Sequence, residues 1–235
     1  MSGRFGRFFV DVTLECPYGL GKTAVFRQAR VHAMPSGILE DFLNAGFRRN
    51  GAVIYTMVCP DCSACVPIRI HPDEFRPNRS QRRAAAANRD LEATLRPLSI
   101  TSEKLALCDK FLSTRFPGRG NAALDYYAGF FVNPMGYTHE VEFRIEGRLL
   151  GVSIIDLYPN AINCVYFFFD PDAASRSPGT FNVLHLIDFA ARNGIKALYL
   201  GYWIDQVAAM RYKAKFRPHH LLLGSHWVRV DRQDG

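Results

Sequence analysis

The chain has 235 residues, 48% of them hydrophobic and 22% charged, which allows a sizeable buried core and points to a globular chain rather than a disordered one. Its formal net charge is +7, carried by 23 Arg and 6 Lys among the 29 basic residues, and Arg is the better residue for two-pronged contacts to phosphate. No apolar run reaches membrane length, and Asp11 and Glu15 stand where a signal peptide needs its apolar segment, so a cytoplasmic, reducing location is expected, with thiols free or metal-bound.

In chain order, the pattern predicts a strand over Phe8–Leu14, a glycine-containing loop at Tyr18–Lys22, and a helix near Ser36–Ala45 with Leu39, Phe42 and Leu43 on its apolar face. Strands follow at Ala52–Val58 and Val66–Ile70. Between them lies Cys59-Pro60-Asp61-Cys62-Ser63-Ala64-Cys65, three thiols in seven residues, read as the turn of a hairpin. Such spacing points to a thiolate metal site rather than to disulfides. With Cys16 there are four thiols, although 43 positions separate Cys16 from Cys59. Four thiolates suit tetrahedral zinc, and Cys-x2-Cys-x2-Cys also resembles part of a ferredoxin run, so zinc and an iron–sulfur cluster both stay open.

A basic stretch comes next. Arg76 to Arg96 holds six Arg against Asp90 and Glu92. Ser80 is expected to cap a helix that Ala84–Ala87 propagate, which gathers Arg79, Arg82 and Arg83 at the helix start. Cations there oppose the helix dipole, and a bound phosphate would relieve the conflict. A boundary falls at Pro97, giving an N-terminal domain over 1–97 and a C-terminal domain over 98–235.

In the second domain Thr101 caps a predicted helix whose inner face is Leu105, Cys108, Phe111 and Leu112. Another helix, Ala122–Phe131, places Leu124, Tyr127, Ala128 and Phe131 on one side. Strands are predicted over Glu140–Ile145, Leu149–Leu157 and Ile162–Phe169. A helix over Gly179–Arg192 ends at Asn193-Gly194, and strand Ala197–Tyr202 and a tail hairpin turning at Gly224-Ser225 complete the chain.

This order resembles the acetyltransferase-like (GNAT) fold, so the expected class is α+β, with mainly antiparallel sheets flanked by helices. In that fold a loop before the crossover helix cradles the pyrophosphate of coenzyme A. Here the loop is Arg176-Ser177-Pro178-Gly179-Thr180-Phe181, and bulky Phe181 replaces a small residue. Arg176, Gly179 and Thr180 with their helix-start amides still suit an anion, but the donor is expected to be something other than acyl-CoA.

Several stretches together resemble the aminoacyl-tRNA–protein transferases, which comprise the arginyltransferases and the bacterial aspartate/glutamate leucyltransferases. They are Cys16-x-Tyr18, Gly46-Phe47-Arg48-Arg49, the cysteine cluster with Val66-Pro67-Ile68-Arg69, and Arg79-Ser80-Gln81-Arg82-Arg83. Tyr166-x-Phe168-x-Asp170-Pro171, Ser177-x-Gly179-Thr180, Leu200-Gly201-Tyr202-Trp203-Ile204 and Met210-x-Tyr212-Lys213-x-Lys215-Phe216-x-Pro218 complete the set. The glycine loop departs from the family's usual Tyr-Leu-Pro-Gly-Arg, and Val207, Ala208 and Ala209 replace a cysteine and a lysine common after Trp-Ile.

The resemblance implies a fusion of two acetyltransferase-like halves. It implies transfer of an amino acid, leucine or arginine, from aminoacyl-tRNA to the N-terminal amine of proteins beginning with Asp or Glu, which marks them for degradation. No cofactor is needed for that chemistry. The eukaryotic relatives are associated with an iron–sulfur cluster at the N-terminal domain, which the resemblance would place here at Cys16, Cys59, Cys62 and Cys65.

For the reaction, Glu140, Asp205, Tyr202 and Tyr212 are the catalytic candidates, as base or as donors to the oxyanion. Arg79, Arg82, Arg83, Arg176, Gly179 and Thr180 are candidates for tRNA. Lys213, Lys215 and Arg217 are candidates for the acidic side chain of the acceptor. The protein is expected to act as a monomer, away from membranes. Two other classes are weighed against this reading: an acyl-CoA-dependent N-acyltransferase, and a noncatalytic RNA-binding module built on a metal knuckle.

Overall fold

Two stretches of β-forming sequence build two separate sheets. The computed structural model describes residues 8–231. Strands β1 (Val10–Glu15), β2 (Thr23–Arg30), β3 (Arg48–Asn50) and β4 (Val53–Met57) form an antiparallel sheet in the order β1-β2-β4-β3. Helix α1 (Ser36–Asn44) connects β2 to β3 and buries Leu39 and Leu43. These leucines pack with Ile54 of the small sheet and with Tyr158 and Tyr199 from the second half of the chain.

The larger sheet has eight strands. In chain order they are β5 (Val66–Ile70), β6 (Glu92–Pro97), β7 (Thr138–Ile145), β8 (Arg148–Leu157), β9 (Ala161–Phe169), β10 (Ala197–Trp203), β11 (His219–Leu223) and β12 (His226–Val230). Their spatial order is β12-β11-β5-β10-β9-β8-β7-β6. All neighbours pair antiparallel except β9 and β10, which run parallel.

Strand β8 is buried along nearly its whole length, because helices cover both faces of the sheet. On one face lies α5 (Pro178–Arg192), the crossover from β9 to β10, which buries Val183, Leu186, Ile187 and Ala190. Each larger aliphatic residue of this kind contributes about 1.5–3 kcal/mol by leaving water. On the other face lies α3 (Ser102–Arg115), with Leu107, Cys108, Phe111 and Leu112 turned inward. Thr101 caps α3 as expected, accepting from the Lys104 amide at 3.3 Å. Among the described residues no helix is long and apolar enough to cross a membrane.

Several expectations need correction. The cysteine turn is no hairpin: β4 belongs to the small sheet and β5 to the large one, so the thiols lie on the connection between sheets. Helix α2 (Arg79–Ala86) is capped by Asn78 and not by Ser80; Asn78 Oδ1 accepts from the Gln81 amide at 2.9 Å, and the Gln81 side chain accepts from the Asn78 amide at 2.8 Å.

The helix expected over Ala122–Phe131 is only a turn of α4 (Ala123–Tyr126), which widens into a π-turn over Tyr127–Phe131. The Phe130 carbonyl accepts from Gly51 and from Arg49, and this outside pull accompanies the widening. Leu124, expected on the inner side, is exposed, as is Ala128. Strands β2, β3 and β6 went unpredicted. The predicted domain boundary falls between β6 and α3, and β5 and β6 from the first segment join the sheet built by the second.

Candidate active site at a splayed strand pair

The site begins where two strands part. β9 and β10 pair only from Ala197/Ala161 to Tyr199/Asn163, and the ladder then stops. Just beyond, Val165 bulges out of register, because Ile155 faces Cys164 and Ile154 faces Tyr166. Strand β10 has its own irregularity against β5 between Tyr199 and Gly201. A bulge next to a strand end re-aims side chains and frees backbone groups, which suits a reacting carbonyl.

Gly201 has a φ of +89°, where a side chain would be strained. A Cβ there would meet Arg48 Nη2 at 3.4 Å and Lys213 Nζ at 3.5 Å. The two cations therefore flank the open face of one glycine. Arg48 reaches in from β3 and donates from Nη2 to the Cys164 carbonyl at 3.0 Å. Lys213, on a 3-10 turn over Tyr212–Lys215, donates from Nζ to the Tyr202 carbonyl at 2.7 Å, with Met210 Sδ 3.2 Å away.

Arg48 is 8% exposed and Lys213 7%, and neither has a carboxylate partner among the described residues. Burial, and then the charge of Arg48, push the Lys213 ammonium down to about 7.

Three tyrosines adjoin the cations. Tyr202 is buried, its hydroxyl donates to the Gly46 carbonyl at 3.3 Å, and its ring meets that of Tyr55 edge-on at 6.3 Å. Burial pushes the Tyr18 phenol up, helped by Tyr55, Cys65 and Tyr202.

The four expected thiols do share one place. Cys16, Cys59, Cys62 and Cys65 line a single cavity with Leu20, Lys22, Met57 and Ser63. Burial, then Cys59, Cys16 and Cys62, push the Cys65 thiol up to about 12. As a donor set this fits a thiolate-bound metal in kind and number. The thiols are not drawn together to ligand distance: among the described residues no three His, Cys, Asp or Glu form a metal-holding group. Cys59 Sγ instead accepts from the Val25 amide at 3.4 Å.

Other expected residues lie elsewhere. Glu140 is fully buried on β7, two strands away from β9. It is ion-paired with Lys104 and accepts from Ser99 Oγ at 2.9 Å. Its carboxylate neutralises a buried lysine and does not face the splay, which corrects its reading as the base. Asp205 follows β10 and is exposed, and its carbonyl accepts from Arg211 Nε at 2.9 Å. Tyr212 is 39% exposed.

Arg79, Arg82 and Arg83 are exposed on α2, without carboxylate partners among the described residues. Gln81 Nε2 donates to the Lys215 carbonyl at 3.1 Å, which ties α2 to the turn bearing exposed Lys215. Arg217 folds back, donating to the Ala214 and Asp231 carbonyls at 3.2 and 3.1 Å.

The loop compared with a coenzyme A cradle is closed on itself. Arg176 pairs with Asp90, and its carbonyl accepts from Asn88 Nδ2 at 2.8 Å. Phe181 packs against Phe143 with ring centroids 5.6 Å apart, beside Pro178 and Arg176. Gly179 and Thr180 sit at the α5 start, and the Thr180 amide donates to the Ser177 carbonyl at 3.0 Å. This leaves little for a pyrophosphate.

Arg48 and Gly201 were quoted within longer motifs but given no role from sequence. For Gly201 a signal was present, a glycine inside the predicted apolar strand Ala197–Tyr202; for Arg48 there was none, because β3 was not predicted.

Three antiparallel strands, a crossover helix and a parallel strand that splays open define a fold of the acetyltransferase-like class. A solved structure of the C-terminal domain of a putative lysylphosphatidylglycerol synthetase from Agrobacterium fabrum shares this fold, with a TM-score of 0.52 at 12% identity over 93% of this chain and 82% of that one. The arginine-tRNA-protein transferase family matches through its N-terminal region over residues 14–83 and its C-terminal region over residues 103–223.

The aspartate/glutamate leucyltransferase of Gluconacetobacter diazotrophicus is 37% identical over 96% of this chain and 88% of its own length. That of Paramagnetospirillum magneticum is 37% identical over 97% and 95%, and that of Pseudomonas putida 38% identical over 83% of each. The chain belongs to the arginine-tRNA-protein transferase family and is a transferase.

Proposed function

We propose that this transferase moves leucine from leucyl-tRNA to the α-amine of proteins whose first residue is Asp or Glu, marking them for degradation, and that it works as a cytoplasmic monomer. The observation that carries the reading is the splay itself: a bulged, unpaired strand segment flanked by buried cations, in a family of aminoacyl transferases.

The amine attacks an already activated ester, so no covalent enzyme intermediate is needed, and positioning provides much of the rate. The attacking amine, with a pKa of about 7.7–8.0 when free, must first lose its proton. In this reading a backbone N–H at the Val165 bulge receives the developing oxyanion. Arg79, Arg82, Arg83 and Lys215 offer phosphate contacts on one exposed face. Tyr212, partly exposed on the turn beside Lys213, and Asp205, exposed just after β10, are the remaining polar candidates.

Cys16, Cys59, Cys62 and Cys65 would hold a thiolate-bound metal. Bound there, it would clamp the residue after β1 to the connection between β4 and β5; its role is structural. Metal analysis of anaerobically purified protein, with Cys59→Ser and Cys62→Ser as controls, tests this; metal retained by both variants sinks it.

Labelled leucyl-tRNA and arginyl-tRNA offered with peptides beginning with Asp, Glu, Arg or Lys test the reaction. Leucine on the Asp and Glu peptides is the expected product. Arginine on those peptides would change the donor, and leucine on the Arg and Lys peptides would change the acceptor.

A further inference from the structure

Two cations buried side by side without a counter-ion are costly. Like charges in a low-dielectric site repel, and neither is fully solvated. Arg48 and Lys213 are in this position, each held only to a backbone carbonyl or a thioether among the described residues. A guanidinium has five N–H donors, and Arg48 uses only Nη2 among the described residues. Arg49, the next residue, shows what a satisfied arginine looks like in this protein: Nε and Nη2 grip Asp156 at 2.7 and 2.6 Å, and Nη1 donates to the Phe130 carbonyl.

Arg48 Nη2, which carries a second hydrogen besides the one given to Cys164, and the ammonium of Lys213 meet at the face of Gly201. An anion fits there, and its size is limited. With so little of either side chain exposed, the pair suits a compact anion such as a side-chain carboxylate better than a phosphodiester backbone running past. The exposed arginines of α2 are the better match to phosphates.

We propose that Arg48 and Lys213 form the pocket that reads the side-chain carboxylate of the acceptor's first residue, with Arg48 as the specificity-determining residue. This rests on the transfer reaction above. The placement suits the chemistry, since the carboxylate of an N-terminal Asp or Glu is only a few covalent bonds from the attacking amine. Its reader must therefore sit beside the splay where the ester is held. Arg48 meets that demand by binding the carbonyl of Cys164, next to the Val165 bulge. A side chain at Gly201 would be strained by its φ and would press on both cations.

The test measures kcat/KM for paired peptides that begin with Asp or with Asn, in wild type, Arg48→Gln and Arg48→Lys, together with the Kd for leucyl-tRNA. In Arg48→Gln the Asp-over-Asn preference should drop by roughly tenfold or more, as expected for loss of a charged hydrogen-bond partner, with tRNA affinity within about twofold. Arg48→Lys should recover part of the preference. An unchanged preference, or weaker tRNA binding with equal loss on both peptides, overturns the proposal; the second result would give the pair to tRNA phosphate.

The wild-type enzyme supplies a second readout should the variants misfold. L-aspartic acid α-amide should compete with the peptide roughly tenfold better than L-asparagine α-amide. Equal inhibition overturns the proposal. Absence of any transfer by wild type would instead remove the reaction on which the proposal rests.

Discussion

Arg48 and Arg49 are consecutive residues of one short strand, both nearly buried, and they meet opposite surroundings. Arg49 enters a closed network in which Asp156 also accepts from Thr138 at 2.7 Å and from Asn163 at 2.8 Å. Arg48 points to a second cation and a glycine. A strand turns successive side chains to opposite faces, so one segment serves both ends. Arg49 locks the small sheet to the large one, and Arg48 arms the splay. A buried charge with its partner in the fold is structure; a buried charge without one is waiting for a ligand.

The largest expected effect lies on the closed side. Arg49→Met leaves the Asp156 carboxylate buried without a cation, held only by Thr138 and Asn163, and breaking such a pair costs about 3–5 kcal/mol. Urea unfolding should show this as a midpoint shift without a change of slope. A loss below about 1 kcal/mol would mean that water reaches Asp156 and that the contrast between the two arginines is overstated.

Lys213 gives the next effect. Its folded-state pKa is lowered to about 7 from an ordinary value of 10.5, so between these values the unfolded chain binds the extra proton. Wild-type stability should therefore rise with pH from about 7 to 10.5, and the penalty is full below 7. Lys213→Met removes this titration. The variant should gain on wild type by on the order of 2–3 kcal/mol at pH 6 relative to pH 10, after allowance for relaxation around the buried charge. A stability difference that stays flat with pH would show that Lys213 already has a partner in solution.

Arg48→Met should move stability less. It relieves repulsion with Lys213 but strips the Cys164 carbonyl of a donor, a bond of about 1 kcal/mol, so the net change should stay within about 1 kcal/mol. A destabilisation as large as that of Arg49→Met would make Arg48 a structural residue, and the two neighbours would cease to differ in kind.

The same pair shows what sequence could and could not reveal. The helices α1, α3 and α5 and the strands β7 to β10 were legible because their apolar residues repeat with helix or strand period and their caps or stops are local. Strand β6 was not, because it is an edge strand exposed throughout, with no apolar alternation to read. The cysteine turn was legible as a cluster but not as an inter-sheet link, since pairing partners are non-local.

At the site, Lys213 and Tyr202 were read from the end of an apolar strand and from the turn that follows. Glu140 was misread because its neutralising partner Lys104 lies 36 positions away, on a helix face that looked apolar. Arg48 escaped a role for the same reason: nothing local distinguishes it from Arg49. Only the fold shows that one finds Asp156, 107 positions on, and the other does not.

The smallest effect is also the most discriminating, because it separates the two cations by their chemistry. A guanidinium is a permanent cation in proteins, whereas the Lys213 ammonium is pushed down to about 7. The charged and titratable groups around Lys213 are Arg48 from β3, Cys164 from β9 and Cys65 before β5, and burial is the main cause of its lowered pKa. The ratio of kcat/KM for Asp-peptide over Asn-peptide reports groups of the free enzyme. Deprotonation of the α-amine is common to both peptides and largely cancels. As pH rises from 6 to 8.5 the ratio should fall by a few-fold, on the order of 1 kcal/mol for loss of one cation at a charged site, and then level off above unity. The plateau belongs to Arg48 and the decline to Lys213. Lys213→Met should show the plateau alone, flat across the range. A wild-type ratio that falls to unity would assign the whole readout to Lys213 and leave Arg48 as its electrostatic neighbour, while a ratio flat in wild type would reserve the readout for Arg48.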